Sequence, residues 1–391
     1  MKIAIVHDYI KEYGGAERVL EALCEIYPKA PIYTAFVDKN GSAYEHFKKR
    51  KIIKSWFSYI PFAPKLASPL RFLTPLIWGS FDFSEFDLVI SSASWYITKG
   101  FGSREMPKQV RHDNQKPIEI CYCHTPPRWL YGYTTSVNFQ KYRLVRWYAD
   151  IVGHFLRLYD FKQAQKVDYF IANSNETKKR IEKFYRRDSV VIYPPVSIKN
   201  HESRSKNQDR DEYYFMVSRI TGSKGLEIAV EAAKKAGFRL KIAGSKTGYY
   251  SDDKLREKAA AGPEGPLARR GNIEFLGQVS DEELAKLYKG AKGFLALSKD
   301  EDFGITPVES MMAGTPVIAF NGGGYKESVV DGRTGVLFDQ YSVSGLLSAM
   351  KRFENTKFDS SQIQNHAQKF SKERFKREIE DFVKSKIKPN I

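Results

Sequence analysis

The sequence has few cysteines and no long apolar run. Its 391 residues include three cysteines, which is too few for the disulfide framework of a small secreted domain. No stretch approaches the roughly 20 apolar residues of a membrane-spanning helix. Met1 leads directly into the apolar run 3–6, without the basic, apolar and small-residue regions of a signal peptide. We therefore expect a cytoplasmic, globular chain.

Acidic residues are also scarce, and their shortage is uneven. The chain has 63 lysines and arginines against 46 aspartates and glutamates, a net charge of +17. Residues 1–200 hold 31 bases and 19 acids, whereas residues 201–350 hold 21 of each. A hydrophobic fraction of 42% excludes a disordered chain. The basic first half indicates either an anionic partner or a contribution to solubility alone.

One span of the first half, the basic-aromatic span His46 to Phe81, has no acidic residue. Bases attract anionic lipid head groups, and aromatic side chains prefer the membrane interface, so the span could lie on a bilayer without crossing it. Alternatively, its aromatics pack into the core and its bases are solvated. Basic residues interleaved with aromatics also suit nucleic-acid binding, but the sequence has no recognisable nucleic-acid-binding module. We therefore expect no nucleic-acid partner. The bases and aromatics are Lys48, Lys49, Arg50, Lys51, Lys54, Lys65, Arg71, Phe47, Trp56, Phe57, Tyr59, Phe62, Phe72, Trp78 and Phe81.

Strand-like and helix-like stretches alternate in both halves of the chain, on either side of a polar stretch at 199–211. The predicted strands include Ile118–Cys123, Tyr213–Val217 and Arg239–Ala243, and a helix is predicted over Leu226–Ala236. This alternation predicts parallel sheets covered by helices. We predict an α/β chain of two Rossmann-like domains that face a central cleft. Ligands of such sheets bind at the carboxyl ends of the strands.

Two loops offer groups that suit phosphates. Gly14 and Gly15 separate the first strand from the first helix, where glycine lets the backbone approach an anion. Their spacing is not that of a dinucleotide-binding loop, so we expect no nicotinamide cofactor. Arg219 and Lys224 follow the first strand of the second half, where two cations could clamp a pyrophosphate and stabilise a leaving group. Taken alone, the glycines also fit an ordinary turn and the two bases a solvated loop.

An acidic motif at 300–309 is the strongest local signal. Glu301 and Glu309 lie eight positions apart around a predicted helix start, where both could accept hydrogen bonds from sugar hydroxyls. Thr306, Pro307 and Glu309 also form a capping-box pattern, which would place Glu309 in the first turn for structural reasons. That reading leaves Glu301 without an explanation.

His124 ends a predicted strand, so it is either a structural histidine or a ligand-binding one. Cys121 and Cys123 lack the partner spacing of a zinc site. Acidic triplets of the form used for metal binding occur at 209–211 and 300–302, but the first lies in the polar stretch and the second is part of the longer motif. We expect no metal site.

Taken together, these motifs resemble the retaining glycosyltransferases of family four, which have the GT-B fold. The sequence at 122–128 and the basic-aromatic span resemble the bacterial O-antigen and polysaccharide mannosyltransferase branch. The resemblance implies transfer of mannose from GDP-mannose to a lipid-linked or polysaccharide acceptor, with retention of configuration, without a metal or cofactor, at the inner face of the cell membrane. It also implies an acceptor- and membrane-facing domain over residues 1–196, a donor domain over 197–372 and a helix over 373–391 that crosses back to the first domain.

The resemblance further implies a role for each motif. Arg219 and Lys224 would hold the donor pyrophosphate, and Glu309 would bind the ribose hydroxyls. Glu301 would bind the hydroxyls of the transferred sugar. The remaining groups would complete the site: Gly14 and Gly15 at the phosphates, Val279 near the base, the backbone N–H groups of Phe303, Gly304 and Ile305 around the sugar, and His124 beside the reacting sugar. The alternatives are a nucleotide-sugar epimerase of the same fold and a non-catalytic sugar-nucleotide-binding protein at a membrane surface.

Overall fold

The computed structural model describes residues 1–102, 117–133, 143–198, 212–218, 224–244, 253–260 and 272–387, which form two compact units. Unit 1 contains the described residues of Met1–Tyr133, Phe139–Pro195 and Lys372–Ile391, and unit 2 contains those of Val196–Ser371. Each unit is built on one sheet in which every strand pair is parallel. The prediction of an α/β chain with two Rossmann-like domains is confirmed.

Unit 1 has a seven-stranded sheet in the order β3-β2-β1-β4-β5-β6-β7. The strands read as apolar runs because both faces of the sheet are covered. The strands are β1 (Ile3–His7), β2 (Ile32–Thr34), β3 (Ile52–Lys54), β4 (Leu88–Ala93), β5 (Ile118–Cys123), β6 (Tyr169–Ala172) and β7 (Val190–Val191); the helices are α1 (Gly15–Ile26), α2 (Tyr44–Phe47), α3 (Ala63–Leu66), α4 (Thr74–Gly79), α5 (Arg143–Lys166) and α6 (Asn175–Tyr185), with a last helix, α14 (Lys372–Lys386), from the end of the chain.

The two faces of the unit 1 sheet have separate cores. On one face, α1 and α14 pack together, and Phe375 of α14 joins Ile5, Leu20 and Ile90 in one buried cluster. On the other face, the span 46–81 covers the sheet with short helical turns.

That arrangement divides the aromatics of the basic-aromatic span. Phe57 and Trp78 are buried in the core, and the Trp78 indole N–H donates to the carbonyl of Tyr96 at 2.7 Å. Tyr59 and Phe62 remain exposed, at 71% and 72%. The alternatives of core packing and surface exposure therefore hold for different residues of the same span.

Unit 2 has a six-stranded sheet in the order β10-β9-β8-β11-β12-β13. The strands are β8 (Tyr213–Val217), β9 (Arg239–Ala243), β10 (Ile273–Gly277), β11 (Gly293–Ala296), β12 (Val317–Phe320) and β13 (Gly335–Phe338); the helices are α7 (Leu226–Ala236), α8 (Asp253–Ala260), α9 (Asp281–Gly290), α10 (Ile305–Met312), α11 (Tyr325–Ser328), α12 (Val343–Glu354) and α13 (Ser360–Ala367).

Strand order reverses once in each sheet. In unit 1 the chain leaves β1 toward β2 on one side and later places β4 on the other, and β8 has the same position between β9 and β11 in unit 2. Ligands of open parallel sheets bind beside such reversals, at the carboxyl ends of the strands. We therefore expect ligand-binding residues in the loops after β1, β4, β8 and β11. Among the described residues, no helix is long and apolar enough to cross a membrane.

Candidate active site

In unit 2, a lysine and a glutamate meet at the strand reversal. Lys224 lies in the loop between β8 and α7, and Glu301 lies in the loop between β11 and α10. The Lys224 ammonium and a Glu301 carboxylate oxygen are 2.6 Å apart, and both side chains keep about a fifth of their surface exposed. The Tyr325 hydroxyl, from the segment after β12, donates to the same oxygen at 3.4 Å. Three neighbouring strand ends thus bring a cation, an anion and a phenol to one point.

Glycines allow the loops around Glu301 to pack this closely. Gly304 has φ +87°, and a Cβ there would lie 2.4 Å from the Tyr325 ring. Gly323 has φ +55°, and a Cβ there would lie 2.2 Å from the Glu301 carbonyl oxygen. A larger residue at either position would strain the backbone and push the two loops apart. The Gly324 N–H donates to the same carbonyl at 2.9 Å, which fixes the Glu301 backbone.

The predicted capping box at Thr306 is wrong. Helix α10 begins at Ile305 with Gly304 as its N-cap, and no side chain caps it. Glu309 therefore lies in the second turn rather than the first. There it is 3% exposed and accepts a hydrogen bond from the Tyr288 hydroxyl at 2.8 Å. The start of the helix is set by the left-handed backbone at Gly304, which packs against Tyr325, and not by Thr306.

The other predicted donor-site residues of unit 2 lie in loops at strand ends. Phe303, Gly304 and Ile305 form the start of α10, where the first N–H groups of a helix have no partner within it. Val279 is half-buried in the loop between β10 and α9. Arg219 lies outside the described residues.

In unit 1, the Gly14-Gly15 loop begins α1. Gly14 is the N-cap, and its N–H donates to a Glu17 carboxylate oxygen at 2.9 Å. Glu17 is 7% exposed, so this acidic residue of the first turn lies inside the protein. Its second oxygen lies 3.5 Å from Nε2 of His7, the last residue of β1.

His7 begins a buried polar chain that ends at His124. Its Nδ1 lies 3.0 Å from the Ser92 hydroxyl of β4, and the same hydroxyl lies 2.8 Å from His124 Nε2. The predicted site residues Gly14 and His124 are therefore linked through three side chains that sequence reasoning missed. The sequence held one signal that could have identified them: His7 and Ser92 are polar residues of otherwise apolar strands, and Glu17 is an acidic residue at a helix start.

The chain of contacts assigns a tautomer to His124. The Glu17 carboxylate favours a proton on His7 Nε2, which leaves His7 Nδ1 to accept from the Ser92 hydroxyl. The Ser92 oxygen then accepts from His124 Nε2–H, and His124 Nδ1 carries the lone pair. Burial and the nearby His7 lower the pKa of His124 to about 3, so its ring is neutral near pH 7. A neutral ring with a lone pair on Nδ1 can accept a hydrogen bond from a sugar hydroxyl.

Asp8 organises the loop that follows β4. Its carboxylate accepts hydrogen bonds from the N–H groups of Trp95 and Tyr96 and from the Thr98 hydroxyl. Within this loop, Ile97 has φ +55°, a conformation that costs a β-branched residue about 1–3 kcal/mol. Four Asp8 contacts, including one with the Ser94 N–H, hold that strained backbone in place.

With this geometry, residues 197–377 match the family model of glycosyl transferases group 1. Residues 197–377 therefore resemble a group 1 glycosyl transferase domain. The Lys224–Glu301 pair lies in it, and the domain accounts for nearly all of unit 2 together with the first residues of α14.

Similar proteins extend the comparison beyond the group 1 domain. The chain is 26% identical over 311 residues to an alpha-1,3/1,6-mannosyltransferase ALG2 of Dictyostelium discoideum, which covers 68% of this chain and 70% of that protein. It is 27% identical over 217 residues to an uncharacterized glycosyltransferase of Methanocaldococcus jannaschii, covering 55% of this chain and 58% of that one. The chain therefore spans between about half and three quarters of these relatives.

A solved structure shows the same fold over the whole chain. The Anabaena protein HepE in complex with UDP has a TM-score of 0.67 at 17% identity, over 98% of this chain and 100% of that one. At that identity the likeness shows the fold, which is the two-domain α/β architecture of GT-B glycosyltransferases.

Among the described residues, no three acidic, histidine or cysteine side chains form a cluster that could hold a metal ion. The triplet 209–211 lies outside the described residues. In the triplet 300–302, the Glu301 carboxylate is paired with Lys224. The three cysteines are free and buried, and Cys121 and Cys123 lie in β5 as predicted.

Proposed function

We propose that this protein is a glycosyltransferase that moves a sugar from a nucleotide-sugar donor to an acceptor. The observation that carries the proposal is the Lys224–Glu301 pair, held at the strand reversal of a group 1 domain with Tyr325 beside it. A cation suits the donor pyrophosphate, and a carboxylate suits the hydroxyls of the transferred sugar.

The ion pair between Lys224 and Glu301 belongs to the donor-free protein, and donor binding separates the two side chains. A pyrophosphate carries more negative charge than one carboxylate, so it draws the Lys224 ammonium away from Glu301. Glu301 then has oxygens free for sugar hydroxyls. Lys224, with Arg219 of the same loop, stabilises the charge that develops on the leaving phosphate. Glu309 binds the ribose, which requires its hydrogen bond with Tyr288 to be shared or exchanged.

The reaction proceeds with retention of configuration, as the family resemblance implies. The acceptor hydroxyl attacks from the face that the nucleotide leaves, and the leaving phosphate takes the acceptor proton. His124, neutral and with its lone pair on Nδ1, orients a hydroxyl of the reacting sugar. Gly14 and Gly15 contact the donor phosphates through the start of α1.

Mannose from GDP-mannose is the proposed donor, and a lipid-linked or polysaccharide glycan is the proposed acceptor. The name of the Dictyostelium relative supports a mannosyl group, whereas the Anabaena structure binds UDP. A donor screen must therefore include both nucleotides.

An anionic membrane surface at the inner face of the cell membrane is the proposed place of work. Besides Tyr59 and Phe62, helix α5 exposes Trp147, Ile151 and Phe155, spaced four residues apart on one helical face. The Tyr148 hydroxyl of the same helix donates to the carbonyl of Pro69, so α5 adjoins the basic-aromatic span. A helix that exposes an apolar face beside basic residues suits the bilayer interface.

The proposal is tested by incubating the full chain with GDP-mannose, UDP-glucose and UDP-galactose, each with and without a short lipid-diphosphate-linked sugar. The expected result is a longer acceptor glycan with one donor and α-configured product from an α-linked donor. Conversion of the donor sugar without any acceptor would instead identify an epimerase. Thermal stabilisation by a nucleotide without any turnover would identify a non-catalytic binding protein.

The same assay with a strong chelator tests whether a metal takes part. We expect undiminished transfer, because the proposed charge stabilisation comes from Lys224 and Arg219. Loss of transfer that magnesium or manganese restores would contradict this assignment.

A further inference from the structure

Arg71 places a positive charge at the carboxyl edge of the unit 1 sheet. Its guanidinium carbon lies 4.6 Å from the ring centre of Trp129 and 5.2 Å from that of Trp95. Trp95 follows β4, and Trp129 follows β5, the strand directly before His124. Among the described residues, no carboxylate contacts this guanidinium.

Arg71 is half-buried, and the described residues around it bring no carboxylate to it. Burial lowers the pKa of the guanidinium, and the titratable groups in the described part of the chain that face it are the hydroxyls of Tyr9, Tyr96 and Tyr148. Burial raises the pKa of Tyr96 and Tyr148, so these phenols stay neutral. A partly buried cation that lacks an anion is unfavourable, and binding an anion relieves that cost.

The two tryptophans are fixed before any ligand arrives. Asp8 holds the Trp95 backbone, and the Trp129 indole N–H donates to the Trp95 carbonyl at 3.3 Å. The Tyr148 hydroxyl holds the carbonyl of Pro69, two residues before Arg71. Contact with ring faces leaves the N–H edge of a guanidinium available, and that edge matches two oxygens of a phosphate.

We propose that the N–H edge of Arg71, steadied by Trp95 and Trp129, binds a phosphate of the acceptor substrate. The ligand class is a sugar joined to a lipid through a phosphate or diphosphate, and this identification rests on the proposed transferase function. The phosphate of a bilayer head group has the same chemistry. The position of Arg71 beside the loops that follow β4 and β5, rather than on the exposed face of α5, favours the acceptor.

The test measures binding of geranyl diphosphate to the full chain by tryptophan fluorescence. A Lys224→Met background removes the diphosphate site proposed for the donor. Arg71→Met should weaken binding about 10- to 100-fold, as expected for the loss of a charge-assisted pair of hydrogen bonds. Arg71→Lys should recover part of the affinity, because lysine keeps the charge but not the two-pronged geometry.

The matched control is Lys65→Met. Lys65 is an exposed base of the same span, with its ammonium 5.8 Å from the Phe62 ring centre. Its replacement should change geranyl diphosphate affinity less than about threefold. Equal affinity of Arg71→Met and the Lys224→Met parent, with native near-UV circular dichroism, would overturn the proposal. Equal losses in Arg71→Met and Lys65→Met would do the same.

Vesicles with and without phosphatidylglycerol distinguish the two sources of phosphate. Arg71→Met should sediment with anionic vesicles as the parent does. Loss of vesicle binding with unchanged geranyl diphosphate affinity would assign Arg71 to head groups and overturn the acceptor site. Because geranyl diphosphate binding requires no turnover, a protein that transfers no sugar still tests the Arg71 site independently.

Discussion

Exchange of Glu301 for alanine tests the residue with the most direct role in the proposed transfer. The carboxylate accepts hydrogen bonds from sugar hydroxyls, each worth about 1.5–3 kcal/mol when one partner is charged. Loss of two such bonds should lower kcat/KM about 100-fold or more, measured with the donor found in the screen.

Glu301→Gln and Glu274→Gln are the companions of that variant. Glu301→Gln keeps the size but not the charge, so it should also lose the pair with Lys224 and show a similar loss of activity. Glu274 is an exposed carboxylate on β10 and should tolerate the exchange. Near-normal turnover by a folded Glu301→Ala protein would remove Glu301 from the reaction.

Ser92→Ala tests the tautomer assigned to His124. In the wild-type protein, ¹⁵N signals of the histidine rings should show a proton on His124 Nε2 and a lone pair on Nδ1. Without the Ser92 oxygen, Nε2–H has no acceptor, so the two tautomers should mix, and kcat should fall more than donor KM changes. The chain has seven histidines, and a His124→Gln sample identifies the signal.

Ser91→Ala is the matched control, since Ser91 is the preceding residue of β4, is equally buried, and donates to Glu119 at 2.6 Å instead. It removes the same hydroxyl from the same strand and should leave the His124 signals unchanged. A wild-type proton on Nδ1, or identical signals in the two alanine variants, would contradict the tautomer assignment.

At the scale of secondary structure, the exposed aromatic side chains of unit 1 test the proposed membrane attachment. Replacing Tyr59 and Phe62 together, or Trp147 and Phe155 together, with serine should weaken vesicle binding at least about tenfold. Each aromatic side chain contributes roughly 1.5–3 kcal/mol when it leaves water. Sedimentation with vesicles at high salt measures this apolar part.

The electrostatic part is tested through Lys49 and Lys51, which are exposed. Lys48 is paired with Glu45, and Arg50 donates to the Pro28 carbonyl, so those two bases have partners in the fold. Serine at positions 49 and 51 should weaken binding to anionic vesicles only.

The matched control for the aromatic replacements is Val330→Ser, which alters an exposed apolar residue of unit 2. Wild-type protein that ignores both vesicle types at low salt would refute membrane attachment.

The strands were the most predictable elements. Ile118–Cys123, Tyr213–Val217 and Arg239–Ala243 match their predicted bounds residue for residue. A parallel strand covered on both faces reads as an apolar run bounded by polar residues, and that signal is local. Helix α7 is also matched, because its apolar period and the following Gly237 mark it.

What could not be predicted depends on contacts distant in sequence. The start of α10 is set by Gly304 packing against Tyr325, 21 residues later, so the local capping pattern at Thr306 gave the wrong start. Strand β3 is a three-residue edge strand inside the basic-aromatic span. It forms by pairing with β2, and its own three residues show no clear strand pattern in the sequence. The link from His7 through Ser92 to His124 requires β1, β4 and β5 to be adjacent, which only the sheet order decides.

The whole molecule consists of two units, each with its own core, and the chain end belongs to the first. Helix α14 follows the last residue of unit 2 yet packs in unit 1, where Arg374 donates to the Tyr193 carbonyl at 2.8 Å. Phe375 is fully buried there, with its ring 5.7 Å from that of Tyr122. Residues about 250 positions apart therefore share one core, and the stability of unit 1 should depend on the end of the chain.

Phe375→Ala should lower the unfolding free energy of unit 1 by about 3–5 kcal/mol, the usual cost of removing a buried phenylalanine. Hydrogen exchange localises the effect, because amides in each core report the local free energy of opening. Protection should fall in β4 and β5 and be retained in β8 and β11. The matched variant is Phe353→Ala, which removes a buried phenylalanine from the unit 2 core and should give the reverse pattern. If both variants lowered protection equally in all four strands, the two cores would unfold as one, and the assignment of α14 to the stability of unit 1 alone would be wrong.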